Sequence, residues 1–263
     1  MSEELVRVEV AGGIAQVTLN RPERRNAFTD PMWAEFLSAL DRVLADDAAR
    51  VLLIAGAEGN FTAGADVSLV EGKGEGTPSG RPHPFLGVLH HLTTTFDKPI
   101  VAAVDGVAVG FGLTFLLHCD FVYVTDRARL RAPFVRLGVV PEAGASYLLS
   151  AVLGSRNAAE VLYAADFIGG ARAVELGIAN ACVSAGDLLT RALATARKIS
   201  EQAPGAVRAT KRLLLDARRD QVLAAVEREN AAFARRIGTP ENLEAIRAFY
   251  EKRPPNFSKV AAD

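Results

Sequence analysis

The sequence has few cysteines, almost no net charge and no long apolar run, and each absence excludes a class of protein. Two cysteines, Cys119 and Cys182, occur among 263 residues; they are too few for a disulfide framework and fit reduced, buried thiols. The 30 basic and 31 acidic residues nearly cancel, so no overall field attracts nucleic acid or an anionic membrane. No apolar stretch approaches the roughly 20 residues that span a bilayer.

A secretory signal and a metal centre are also missing from the sequence pattern. The segment MSEELVRVEV is acidic and alternates valines with polar residues, without the basic and apolar regions of a secretory signal, so a soluble cytoplasmic protein is expected. His90 and His91 are adjacent and face different sides of a helix. They lack spaced Cys, Asp or Glu partners, and we therefore expect no metal site.

Strands alternate with helices along most of the chain. Residues 5–10 and 14–19 alternate apolar with polar side chains around a Gly-Gly turn, which predicts a hairpin. Asp30 and the proline after it open a helix with apolar side chains at helical spacing. Short apolar runs predict further strands at residues 51–56, 99–106 and 121–124. A helix is predicted between the first two of these strands. The alternation favours an α/β fold with parallel β layers covered by helices.

Two segments lack strand patterns. Residues 71–84 contain seven Gly or Pro residues, which predicts a surface loop able to act as a lid over a nearby site. After about residue 185 only charged, Ala-rich helical patterns follow, broken at Pro204 and Pro240. This tail has too few apolar residues for its own core and is expected to pack on the body or on another subunit. We divide the chain into a body, residues 1–185, and a helical region, residues 186–263.

Glu142 lies in the stretch VVPEAGAS, among apolar and small residues. A buried carboxylate without partners is costly, and no neighbour in this stretch could pair with it. Local sequence leaves two interpretations open. Pro141 suits the first turn of a helix, where a negative charge meets the positive end of the helix dipole. The alternative is a base held beside an apolar substrate.

Two glycine-containing segments each follow a predicted buried strand. They are GNFTAGADV, residues 59–67, and GVAVGFGLTF, residues 106–115. Loops at the ends of parallel strands hold ligands in α/β proteins, and exposed main-chain amides there can stabilise an oxyanion. Each segment alone is also common as a plain strand-to-helix turn. GFG lacks the Lys-Ser/Thr ending of a phosphate loop.

Six motifs, in order, resemble the crotonase superfamily of enoyl-CoA hydratases and isomerases. They are NRPERRNAF (20–28), FTAGADV (61–67), KPIVAAVDGVAVGFG (98–112), CDFVYV (119–124), FVRLGVVPEAG (134–144) and AFYEKRPPNF (248–257). The resemblance covers nearly the whole chain. It implies a crotonase spiral of ββα units, a helical C-terminal trimerisation region that forms a homotrimer or hexamer, and an acyl-CoA thioester substrate. No metal or redox cofactor is implied, since coenzyme A is part of the substrate.

The resemblance also implies roles for individual residues. The amides of Ala65 and Phe111 would form the oxyanion hole. Contacts with the CoA or acyl part of the substrate would come from Arg24, Ala27, Ala63, Asp66, Val67 and Phe134, and, across a subunit boundary, from Phe233 and Lys252. For Arg24 and Lys252, an ordinary solvated surface charge remains an alternative.

Two departures from the hydratase pattern bear on the reaction. The positions where hydratases usually carry their two catalytic glutamates hold Thr114 and Phe134, and a phenyl ring cannot hold or activate a water. Glu142 lies where Δ3,Δ2-enoyl-CoA isomerases of the superfamily carry a single Glu. The resemblance therefore favours an isomerase. A hydratase or another crotonase-type reaction using Glu142 alone, and a catalytically silent CoA-binding subunit, remain alternatives.

Overall fold

The computed structural model describes residues 4–66 and 83–260. Val67 and all but the end of the predicted glycine-rich loop lie outside the described residues. The strands are β1 (Val6–Ala11), β2 (Ile14–Leu19), β3 (Val51–Gly56), β4 (Ile100–Val104), β5 (Val107–Val109), β6 (Phe121–Thr125), β7 (Arg129–Arg131), β8 (Ile168–Gly169) and β9 (Ala181–Val183). The helices are α1 (Asp30–Ala45), α2 (Pro84–His90), α3 (Phe111–Leu116), α4 (Ala145–Leu153), α5 (Ser155–Ala159), α6 (Gly170–Glu175), α7 (Leu188–Ser200), α8 (Pro204–Asp216), α9 (Arg219–Arg236) and α10 (Pro240–Tyr250).

A six-stranded sheet in the order β1-β2-β3-β4-β6-β9 forms the body. The predicted hairpin is confirmed, with Val8 opposite Val17 in the antiparallel pair β1–β2. From β2 onward the strands are parallel, and Val17 pairs with Ile54 of β3. Parallel strands are covered on both faces. The continuous apolar run VLLIAG is buried at its first four positions for that reason.

A smaller sheet of β5, β7 and β8 lies beside the first. Strand β5 follows β4 after two residues, so the chain passes from the large sheet to the small one at Asp105 and Gly106. Gly106 has a φ of 57°, and a Cβ there would lie 2.3 Å from the Gly59 carbonyl oxygen. Only glycine lets the two loops approach this closely.

Two apolar clusters flank the large sheet. The larger one joins the inner face of α1, including Trp33 and Phe36, to the sheet and to helices α2, α3 and α4. The smaller one covers the opposite face, where Leu188, Ala192 and Ala196 of α7 pack on β3, β4 and β6. Helix α7 therefore forms a layer of the body, although the boundary at residue 185 assigns it to the helical region.

Ion pairs hold the next helix, α8, to the body. The buried carboxylate of Asp97 accepts hydrogen bonds from Arg208 at 2.9 and 3.0 Å and from Arg212 Nε at 2.8 Å. Lys211 Nζ donates to Asp120 at 2.7 Å. Helices α8 and α10 begin at Pro204 and Pro240, as the sequence predicts, because proline is tolerated at the first helical position.

Candidate functional site

The loops that carry Ala65 and Phe111 pair through a parallel bridge between Thr62 and Ala108. Thr62 N donates to Val107 O at 3.0 Å, and Val109 N donates to Thr62 O at 3.0 Å. Ala65 lies three residues after Thr62, and Phe111 lies three residues after Ala108. The register therefore carries both residues to the same end of the paired segments.

The N–H of Ala65 is left without a hydrogen-bond partner among the described residues. Phe28 N donates to Gly64 O and Asp66 N donates to Phe28 O, both at 2.8 Å. In a parallel bridge these two bonds come from the neighbours of Ala65, so its own N–H and C=O face the other way. The amide is thus presented as a donor on the side away from Phe28.

Within the described ranges, the N–H of Phe111 also has no acceptor, for a different reason. Phe111 is the first residue of α3, and the first N–H groups of a helix have no acceptor within the helix. Gly64 brings the two loops together: its φ is 84°, and a Cβ there would lie 2.4 Å from Val109 O and 3.3 Å from Phe111 N. The loops that carry the two main-chain donors are therefore in close contact, which an oxyanion hole built from both amides requires.

The side chain of Phe111 anchors this turn in the core. The ring is 2% exposed and packs against Trp33 at 4.6 Å, Phe28 at 5.5 Å and Phe85 at 5.8 Å between ring centroids. These edge-on contacts are favourable for aromatic pairs. The packed ring holds the main chain at Phe111 in place, and the N–H of Phe111 remains available to donate a hydrogen bond.

Glu142 precedes its helix instead of starting it. Helix α4 begins at Ala145 with Gly144 as its N-cap. The interpretation of Glu142 as a helix-start carboxylate is therefore wrong. Ala143 and Gly144 have φ values of 62° and 73°, so the chain makes a left-handed turn between Glu142 and the helix, and Glu142 lies in that turn, half-buried.

The environment of Glu142 raises its pKa to about 8. Burial is the larger cause, since it disfavours the charged form, and the negative charge of Glu229 is the second. A carboxyl with such a pKa is a far stronger base than an ordinary glutamate, and its pKa lies close to the pH range in which proton transfer in both directions is efficient. Perturbed carboxyls of this kind occur at functional sites.

Glu229, on α9, bonds to the turn of Glu142 and is one of two residues that the sequence analysis missed. Its side chain is 5% exposed, and its two oxygens accept hydrogen bonds of 2.7 Å from the N–H groups of Gly144 and Ser146. It therefore occupies the anionic position at the start of α4, which was one of the two interpretations that local sequence left open for Glu142. Nothing near Glu229 in the sequence indicates this role, because its partners lie more than 80 residues away.

The two hydratase positions hold no acid in the structure. Thr114 is fully buried within α3, and its Oγ1 donates to Phe111 O at 3.3 Å. Phe134 is 5% exposed at the start of a short 3-10 helix, Phe134–Leu137. Phe134 O accepts from Val139 N at 3.0 Å, so the main chain at Phe134 is bonded to the segment that precedes Glu142.

The described residues assigned to the CoA surface lie on the first loop or on the segment bonded to it. Asp66 forms an ion pair with Arg21 at 2.9 Å, and Ala63 N donates to Arg25 O at 2.9 Å. Ala27 is buried next to this contact and Arg24 is exposed. The sequence analysis missed Arg21, whose guanidinium ties the two motifs together.

The two residues assigned to a neighbouring subunit lie in the C-terminal helical region. Phe233 is half-buried against the large apolar cluster of its own chain. Lys252 is exposed, with a φ of 53°, just after α10. Their contact with CoA across a subunit boundary stays a prediction.

The chain belongs to the enoyl-CoA hydratase/isomerase family, which it matches over residues 9–260. The crystal structure of an enoyl-CoA hydratase/isomerase from Pseudoalteromonas atlantica is 32% identical, has a TM-score of 0.89, and is matched over 97% of this chain and 100% of that one. OdaA of Pseudomonas aeruginosa is 39% identical, with a TM-score of 0.88, over 94% of this chain and 99% of its own. The predicted crotonase fold is confirmed.

The chain is also similar to a curated relative from Clostridium acetobutylicum that is named short-chain-enoyl-CoA hydratase. The two are 32% identical over 94% of this chain and 95% of the relative. Across the described ranges, 4–66 and 83–260, no helix is both long and apolar enough to cross a membrane.

Proposed function

We propose that this protein is an enoyl-CoA isomerase that moves a double bond from C3 to C2 of an acyl-CoA thioester. The observation that carries the proposal is one carboxyl, Glu142, whose pKa is raised to about 8, in a family member whose two hydratase positions hold Thr114 and Phe134. Isomerisation needs one group that takes and returns a proton, whereas hydration needs a polar pair around a water.

The proposed reaction uses the two free amides and Glu142. The thioester oxygen accepts hydrogen bonds from the N–H groups of Ala65 and Phe111, which acidifies the protons on C2. The ionised Glu142 removes one of these protons, and the electron pair of the C2–H bond delocalises into a dienolate. The same carboxyl then delivers the proton to C4, the double bond forms between C2 and C3, and Glu142 is ionised again. The proton balance closes without a metal or redox cofactor.

The rest of the site serves substrate binding in this proposal. Arg24, Ala27, Ala63, Asp66 and Val67 contact the CoA part, and Phe134 borders the acyl chain. In a homotrimer or a hexamer, Phe233 and Lys252 of one subunit contact the CoA end of the substrate that a neighbouring subunit binds. A cytoplasmic location fits the bacterial relatives.

A second candidate, hydration of 2-enoyl-CoA with Glu142 as the single base, is favoured by the name of the Clostridium acetobutylicum relative. A carboxylate beside an oxyanion hole can orient a water as well as shuttle a proton. Phe134 and Thr114 weigh against it, because neither supplies the second acid or base.

Product identification separates these functions. The protein is incubated in turn with a 3-enoyl-CoA and a 2-enoyl-CoA, and the products are identified by mass and by the absorbance of the conjugated thioester. Conjugation of the 3-enoyl substrate supports the isomerase, and a 3-hydroxyacyl product from the 2-enoyl substrate supports the hydratase. Binding without turnover of either thioester would identify a silent CoA-binding subunit and overturn both.

A further inference from the structure

The turn that carries Glu142 has a backbone conformation that other parts of the chain hold in place. Ala143 has a φ of 62°, a left-handed conformation that a residue with a Cβ adopts only at an energetic cost. Two buried side chains bond to the main chain of this turn: His118 Nε2 lies 2.8 Å from Ala143 O, and Glu229 Oε2 accepts from Gly144 N–H at 2.7 Å. The turn is therefore clamped on both sides by residues from outside it.

Helix α9 is pressed against this turn at Glu229. A Cβ on Gly144 would lie 2.9 Å from Val222 Cγ1 of α9, so the helix and the turn are in direct contact. Both oxygens of Glu229 are engaged, since Oε1 accepts from Ser146 N–H at 2.7 Å. Two N–H donors at the positive end of α4 favour the ionised form of this carboxyl. Burial acts against these bonds and raises the pKa of Glu229; when Glu229 is ionised, its negative charge lies beside the turn of Glu142.

We propose that Glu229 and His118 are positioning residues for Glu142: together they fix the turn, and Glu229 also presents a negative charge that makes Glu142 a stronger base. This proposal rests on the proposed function of Glu142 as the proton shuttle. Neither residue touches the substrate in it. The two positioning residues differ in one useful respect, because one is charged and the other is neutral.

The electrostatic surroundings support that division. The charge of Glu229 contributes to the raised pKa of Glu142. Arg228, next to Glu229 on α9, favours the ionised form of Glu229, whose own pKa is raised by burial. Burial lowers the pKa of His118 to about 4, with Arg218 and Lys211 adding to the effect. At neutral pH His118 is thus an uncharged donor to Ala143 O.

The test compares the pH dependence of kcat/KM in four variants. Glu229→Gln removes the charge and leaves one of the two N–H groups without an acceptor. We expect kcat to fall roughly tenfold, the cost of one hydrogen bond to a charged group, and the acid limb to move from about 8 to lower pH by about one unit. Glu229→Asp keeps the charge, so we expect the acid limb of its pH profile to stay in place while kcat falls.

His118→Leu removes the neutral donor. We expect a lower kcat and no shift of the acid limb of the pH profile. His118→Gln keeps an N–H donor of similar reach and is expected to recover part of the lost kcat. A fifth variant, Arg208→Gln, is the matched structural control. It breaks the ion pair with Asp97, which joins a C-terminal helix to the body. It is expected to lower the melting temperature and leave the limb in place.

A second measurement is independent of turnover. Carboxyl 13C resonances of Glu142, assigned by their loss in Glu142→Gln, are followed over pH in the unaltered protein and in Glu229→Gln. A Glu142 titration near 4.5 in the unaltered protein, or one that is unchanged by Glu229→Gln, overturns the proposal. If Glu142→Gln keeps its turnover, the proposed function fails instead, and the carboxyl titration still decides whether Glu229 and Glu142 interact.

Discussion

At the scale of single residues, the burial of Glu142 determines when it can act as a base. Its pKa of about 8 means that about a tenth of the carboxyl is ionised at pH 7 and most of it at pH 9. A carboxyl on the surface would be ionised throughout this range and would give no such dependence.

The pH profile of the reaction follows from this pKa. We expect kcat/KM for conjugation of 3-enoyl-CoA to rise about tenfold per pH unit below 8 and to reach a plateau above it, because only the ionised form removes the C2 proton. Initial rates between pH 6 and 9.5, corrected for thioester hydrolysis, measure this. A profile that is flat from pH 6 upward contradicts the role of a buried base.

Removal of the basic group is the matching substitution. Glu142→Gln keeps the size of the side chain, and we expect turnover to fall by roughly a hundred- to ten-thousand-fold, or about 3 to 5 kcal/mol of barrier, with CoA binding retained. Single-turnover rates and CoA affinity are measured on the same preparation. Near-normal turnover would falsify the assignment of Glu142.

The same variant makes a prediction about stability. The folded-state pKa of Glu142 is raised from 4.5 to about 8, so the folded protein binds a proton that the unfolded chain releases, and this contribution to stability is complete below about 4.5 and is lost as the pH rises to about 8. We expect Glu142→Gln to lose less stability than the unaltered protein between pH 5 and 8. Urea unfolding at several pH values measures the difference; equal slopes would argue against a buried carboxyl.

The contrast between isomerase and hydratase activity also depends on single residues. We expect the unaltered protein to hydrate crotonyl-CoA at least a hundredfold more slowly than it isomerises a 3-enoyl-CoA, because Thr114 and Phe134 leave no second acid or base. The double variant Thr114→Glu with Phe134→Glu is expected to raise hydration, and the double Gln variant is its control. Comparable rates of the two reactions in the unaltered protein would contradict the single-base mechanism.

At the scale of elements, the attachment of α8 depends on a buried carboxylate. Burial raises the pKa of Asp97, but the hydrogen bonds and charges of Arg208 and Arg212 outweigh it and hold the pKa below its usual 3.8. This pair therefore stabilises the fold at pH values above about 3.8, and the contribution is lost as the pH falls further. Acid should loosen α8 early.

Substitution of that carboxylate tests the attachment. Asp97→Asn leaves two guanidinium groups without their counter-charge, and we expect it to cost about 2 kcal/mol of stability, less than a fully buried pair would cost because both arginines are partly exposed. Urea unfolding and amide exchange in α8 measure the effect. A loss below about 0.5 kcal/mol would mean that apolar contacts alone hold the helix.

At the scale of the whole molecule, the C-terminal helices expose apolar side chains that one chain leaves uncovered. Leu213 is 71% exposed and Leu214 62%, while Leu243 and Phe249 are each more than half exposed. Apolar groups concentrated on one part of a surface indicate a protein interface. Other apolar side chains of the same helices are buried within the chain, among them Leu215, Ala245 and Ile246.

Oligomerisation is the corresponding prediction. We expect sedimentation at micromolar concentration to show a trimer or a hexamer, and Leu213→Glu to shift it toward smaller species because a charge is introduced into an apolar contact. Val10→Glu, on the edge strand and 42% exposed, is the control. A stable monomer in the unaltered protein would remove the basis for a CoA contact by Phe233 and Lys252 across subunits.

The sequence by itself determined the elements and the candidate chemistry. Local alternation and helical spacing are properties of neighbouring residues, which is why the hairpin, the strand Val51–Gly56 and the helix Asp30–Ala45 lie where the pattern predicts them. The glycine-containing loops and Glu142 were also visible as candidates, because each combines a residue type with an immediate context.

Only the tertiary structure decided which groups meet. The contact of Gly64 with Phe111 depends on the register between two loops. Local sequence left open a helix-start role for Glu142, and the structure gives that position to Glu229 from another helix. The apolar neighbours of Glu142 indicate a raised pKa, but burial and the field of a distant charge are set by segments far apart in the chain, so the size of the shift could not be derived from those neighbours. The sequence identified the carboxyl, and packing made it a strong base.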